Sequence, residues 1–124
     1  MKLSLVALFI AFLSSTKAFA AAENPCRVAE REMLKIQAAE QNIAYADVTQ
    51  IPEGGPYRPV EVVCEGEDCF LEPRAMVETL RYEPKHPHAR EDGYVAYPSM
   101  NLVEETARIV VATKRYLVAR EACR

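Results

Sequence analysis

Apolar residues recur at helical spacing near both ends of the chain and alternate in its middle. Between Cys26 and Ala46, the residues Ala29, Met33, Ile36, Glu40 and Ile43 fall at intervals of four and three. That spacing lines one face of an α-helix. Leu34, Ala38 and Tyr45 lay a second apolar strip beside it, while Glu30, Arg31, Glu32 and Lys35 are expected to face water. Pro25 suits the edge of the helix start, where a missing N–H costs little. Toward the C-terminus, Val103, Ala107, Val110, Lys114, Leu117 and Glu121 repeat the rhythm, with Leu102, Ile109 and Tyr116 as a neighbouring strip. Asn101 is a strong N-cap residue, and Glu104 stands three residues later at the capping-box position. The pattern predicts helices over 26–46 and from Asn101 to the end. Met33, Ile36 and Ile43 of the first should pack with Val103, Ala107, Val110 and Leu117 of the last.

The central stretch reads differently. Pro52-Glu53-Gly54-Gly55-Pro56 continues neither a helix nor a central strand, so 49–59 is a loop. Val60 to Glu65 predicts a strand with Val60, Val62 and Cys64 on one face, and Cys69 to Glu72 returns after an acidic turn. Residues 75–83 fit two readings. Met76, Val77 and Leu80 suit a helical face, while Thr79 to Tyr82 suits a strand, which is the expectation adopted. Two prolines and a glycine make 84–93 a loop, and the stretch from Tyr94 to Tyr97 predicts a short strand that Pro98 ends. The fold class is α+β: an antiparallel pair of long N- and C-terminal helices with a small central β-hairpin or sheet and Pro/Gly-rich loops.

The first twenty residues do not join this pattern. Lys2 precedes an eleven-residue apolar core from Leu3 to Leu13, too short for a permanent membrane span. Ala18-Phe19-Ala20 fits a signal-peptide cleavage site, with a cut after Ala22 as the nearest rival. Residues 1–20 therefore read as a signal peptide and 21–124 as one small domain with a modest core. Losing Lys2 and Lys17 takes the formal charge from −3 to −5. Such an acidic balance argues against a general nucleic-acid partner, which needs clustered cations. No second apolar run reaches membrane length.

Cys26, Cys64, Cys69 and Cys123 all follow the leader, and an even count behind a secretion signal reads as disulfides. Four cysteines permit three pairings. The expected helices, roughly 31 and 34 Å long, match well enough to lie antiparallel. That arrangement sets Cys26 level with Cys123 and leaves Cys64 and Cys69 to pair across the hairpin turn. His86 and His88 with Cys64 and Cys69 offer the residue types of a Cys₂His₂ zinc site, but an oxidising compartment favours the disulfides. The Cys64/Cys69 spacing is not that of a thioredoxin-type pair. Glu65, Glu67 and Asp68 lack a calcium-loop pattern, and Ser99 has no recognisable triad. No cofactor and no catalytic residue is expected.

Three segments carry a family resemblance. They are Asn42-Ile43-Ala44 with Ala46, Pro52-Glu53-Gly54-Gly55-Pro56-Tyr57-Arg58, and the run from Tyr82 through His86-Pro87 and Asp92-Gly93-Tyr94-Val95-Ala96-Tyr97-Pro98 to Asn101 and Glu104. In this order they resemble flagellar basal-body rod protein C over roughly residues 31 to 121. The signal peptide and the four cysteines depart from the family pattern, as do Tyr45 and Asp47, a shortened stretch between Val63 and Leu80, and a last helix that stops before the family's usual end. The resemblance implies a periplasmic structural subunit, not an enzyme. Its terminal helices would build a coiled-coil layer with other rod proteins or with itself, and its β segment would lie outside. Tyr57, Tyr94 and Tyr97 then either pack loops onto the helices or touch neighbouring subunits.

Overall fold

The computed structural model describes residues 21–75 and 77–124, so the expected signal peptide and Met76 lie outside it. The element order is α1 (Pro25–Ala44), β1 (Val60–Glu65), β2 (Asp68–Pro73), β3 (Glu78–Tyr82), β4 (Tyr94–Pro98) and α2 (Leu102–Ala122). The chain has the expected α+β architecture, and the stretch with two readings contains a strand at Glu78–Tyr82. The β segment is two separate antiparallel hairpins, β1–β2 and β3–β4.

Each helix starts where its side chains satisfy the open backbone donors. Asn24 Oδ1 accepts from the Cys26 N–H at 2.9 Å, and Pro25 occupies the first turn. Asn101 Oδ1 accepts from the N–H groups of Val103 (3.0 Å) and Glu104 (3.3 Å). The capping box is only half made. Glu104 does not reach back to the cap; its carboxylate takes a 2.6 Å hydrogen bond from Arg108 one turn on. A charge-assisted bond outcompetes a neutral backbone donor for the same oxygen. Glu104 and Glu105 in the first turn and Arg120 in the last complement the α2 dipole. The first helix ends at Ala44, two residues before its expected limit, and Tyr45–Asp47 form a turn.

α1 and α2 run antiparallel, and Cys26 is bonded to Cys123 at the open end of the pair. The second disulfide, Cys64–Cys69, crosses the β1–β2 hairpin, where the two residues are direct partners in the ladder. The seam between the helices consists mainly of small residues: Ala29, Ala38 and Ala39 on α1, Ala112 and Ala119 on α2, all at most 7% exposed.

This seam corrects two expectations. Glu32 does not face water; it is 1% exposed. Of the expected packing residues, Met33, Ile36 and Ile43 are only half-buried, and Val103, Ala107, Val110 and Leu117 lie on the open side of α2. Inward positions on α2 are Glu105, Ile109, Ala112, Tyr116 and Ala119. These too follow four-three spacing, but are offset by two residues, about half a helical turn, from the expected stripe. The sequence thus holds two stripes. The one with larger apolar side chains faces out, because alanines let the helix backbones approach and a paired glutamate closes the end.

The β3–β4 hairpin forms a second small core with Val95 fully buried and Ala96 and Tyr97 nearly so. Its loop requires Gly93, whose φ is +83° and whose absent Cβ would stand 2.7 Å from Tyr82 Cε2. Thr49 Oγ1 lies 2.8 Å from His88 Nδ1 and ties the hairpin's loop to the segment after α1.

Candidate interaction surface

A buried polar node joins α1, β1 and α2. Asn42, 1% exposed, uses its whole side-chain amide. Its Oδ1 accepts from the Val60 N–H (2.8 Å) and the Tyr57 hydroxyl (3.0 Å); its Nδ2 donates to the Val60 carbonyl (2.9 Å) and to Glu105 Oε2 (3.2 Å). The other Glu105 oxygen accepts from Arg74 Nη2 at 2.6 Å. A buried amide with all four bonds made specifies one arrangement of its neighbours. Here it fixes where the Pro52–Tyr57 loop and the first strand meet the helix pair. Burial pushes the Tyr57 phenol above its ordinary range, because its ionised form would lose solvation.

The motif loops are positioned by backbone bonds. Gly54 and Gly55 both adopt positive φ, which suits glycine. The turn closes through Ile51 N–H to the Gly55 carbonyl and Tyr57 N–H to the Val48 carbonyl, both 2.9 Å. Tyr57 packs its ring against Tyr45, centroids 5.2 Å apart. In the second motif, Asp92 Oδ1 accepts from the Tyr94 N–H at 3.1 Å. The Tyr97 hydroxyl donates to Glu83 at 2.9 Å, and that bond holds its proton and raises its pKa. Tyr57 and Tyr97 therefore serve packing within the chain, whereas Tyr94 is 39% exposed at the hairpin edge. Pro98 pairs with Glu78 at the end of the β4 strand, just before the Asn101 cap.

Two surface features remain. A groove of about 450 Å³ runs between the helices beside Val60 and Val62, with Val111 and Ala112 in its wall. Next to it, the outer face of α2 carries Leu102, Val103, Val110, Val111, Leu117 and Val118, each at least 45% exposed. Apolar residues so grouped mark an interaction surface more than a solvated one. The zinc reading fails on geometry: Cys64 and Cys69 are spent in a disulfide and offer no thiolate. Among the described residues, no group of three or more His, Cys, Asp or Glu is placed to hold a metal ion. No described helix is long and apolar enough to cross a membrane.

No family model matches the chain. Individual relatives do. Flagellar basal-body rod protein FlgC of Salmonella typhimurium is 31% identical over 94 aligned residues, covering 66% of this chain and 69% of the relative. The FlgC proteins of Escherichia coli O157:H7 (30% over 94 residues) and Borreliella burgdorferi (26% over 113 residues, 74% of the relative) are similar too. The chain belongs to the FlgC family of flagellar rod proteins. The helix face this chain leaves open is the outer strip of α2. Sequence reading missed Asn42, Arg74, Glu105 and Glu32 as organising residues. The signal for the first was the family-like Asn42-Ile43-Ala44 run; nothing local marked Arg74, whose partner lies 31 residues away.

Proposed function

We propose that the chain is a structural subunit or accessory protein of the periplasmic part of the flagellar basal-body rod. In this reading it is delivered after cleavage of residues 1–20 and acts by packing helices against axial partners, with no catalysis and no cofactor. The observation that carries the reading is the outer strip of α2, a run of large apolar residues that the chain's own fold leaves uncovered. Family membership supports the setting. The acidic charge supports protein partners over nucleic acid. The Cys26–Cys123 bond favours a second reading, a rod-derived, disulfide-fixed periplasmic interaction protein outside the flagellum, because it clamps the helix ends together.

Isolated basal bodies distinguish the two. The rod reading expects the protein to co-purify with them and swimming to be impaired in a deletion strain. Absence from basal bodies together with normal swimming overturns it in favour of the second reading.

A further inference from the structure

We infer that the outer face of α2 pairs with the same face of a second copy of this chain, the two helices antiparallel. A twofold dimer needs a surface complementary to itself, and this strip has that property. Set antiparallel about a point between Val110 and Val111, Val103 of one copy meets Val118 of the other at both ends, and Val110 meets Val111 twice in the middle. Val103 and Val118 are also the most exposed large apolar residues on the helix, at 78% and 73%. The same register lays Lys114 over Ala107 of the second copy, where its stem covers a small side chain and its ammonium reaches toward Glu104, which stands opposite Leu117 and also holds Arg108. Lys114 has no carboxylate partner within its own chain among the described residues. Its charge is free for this contact.

Competing arrangements are poorer. A parallel pair sets Lys114 against Lys114 and Glu121 against Glu121, like charges on an apolar seam. Sliding the antiparallel pair by three residues sets Val103 against Glu121 and Val110 against Lys114. Val111 and Val118 also wall the grooves between α1 and α2. A second copy's Val110 and Val103 therefore close the mouths of those grooves. The strip spans on the order of several hundred Å², below the ~800 Å² per partner of a standard stable interface. The dimer is accordingly weak, with dissociation in the micromolar range or above.

Sedimentation equilibrium of the purified, oxidised protein from micromolar to millimolar concentration tests the inference. The expected mass rises from monomer to dimer and stops there. Val110→Glu lies on an exposed position; it should stay monomeric throughout while circular dichroism shows an unchanged fold. Lys114→Glu should weaken association by roughly two- to thirtyfold, the scale of the two exposed ion pairs a twofold dimer contains, and adding Glu104→Lys should restore it. All native cysteines are in disulfides, so engineered thiols report orientation directly. A mixture of Val103→Cys and Val118→Cys should form a cross-linked dimer under mild oxidation, and Val103→Cys alone should not. A monomer at every concentration, an open-ended series of larger species, or self-cross-linking of Val103→Cys would each overturn the pairing. None of these results touches co-purification with basal bodies, so the dimer and the rod reading fail separately.

Discussion

Glu32 and Glu105 are each 1% exposed, yet only Glu105 has partners for both oxygens. Glu32 Oε1 takes a 2.7 Å hydrogen bond from Lys35, and its Oε2 has no partner. Burial without full satisfaction carries a cost, so the two residues should respond oppositely to substitution. Arg74→Ala removes the cation facing Glu105 and leaves a buried charge; urea unfolding should show a loss of about 3–5 kcal/mol. Glu32→Leu replaces a half-satisfied charge with apolar contact and frees the 38% exposed side chain of Lys35 to water. Its unfolding midpoint should stay level or rise by up to about 2 kcal/mol equivalent. A large loss for Glu32→Leu would show that Oε2 is bonded in solution. Tyr57 and Tyr97 contribute to the pH dependence of stability on the alkaline side. Their folded pKa values lie above the unfolded value near 10, so the folded state favours the protonated phenols. The stability this supplies is full below pH ~10 and declines as pH rises through the folded values. Tyr57→Phe should flatten part of that decline in a pH series of thermal melts. These roles were hard to read from residue type, because a glutamate among charged neighbours looks solvent-facing until its partners are known. Asn42 was visible only as a family-like residue; its four bonds come from segments up to 63 positions away.

At the scale of elements, the chain announced most of itself. The β1 strand begins and ends where alternation and the Glu65-Gly66 turn put it, and Asn101 caps α2 as its position suggested. Helix limits moved by a residue or two, within ordinary fraying and turn geometry. What spacing did not reveal was which stripe of α2 faces α1. Both stripes obey four-three spacing, and side-chain size pointed to the valines. The helices instead meet mainly through alanines, and the covalent clasp reinforces that seam. Removing the Cys26–Cys123 bond, which closes a separation of 97 residues, should cost about 4–5 kcal/mol in the chain-entropy model. Removing Cys64–Cys69, with a separation of 5, should cost about 2 kcal/mol. Paired serine variants in urea melts check the order. Equal losses would mean that the alanine seam holds the helices without the clasp.

At the scale of the molecule, the helix pair and the β3–β4 hairpin are joined through loops, while the conspicuous apolar face belongs to α2 alone. A face of this kind has two fates: it is covered by another chain, or it promotes aggregation. Under the proposed rod role axial neighbours cover this face, and the proposed self-pairing covers it when they are absent. The sequence displayed the valines plainly; it did not show that they point away from the fold, because that follows from how closely two alanine faces can approach.

The proposed working surface is the outer face of α2, and a photoreactive amino acid placed at Val110 in swimming cells probes it in place. Covalent capture of a basal-body rod protein or of a second copy, identified by mass, is the expected result, while the same probe at exposed Glu53 on the loop captures neither. Equal capture from both positions, or none from Val110 in basal bodies that contain the protein, would contradict it.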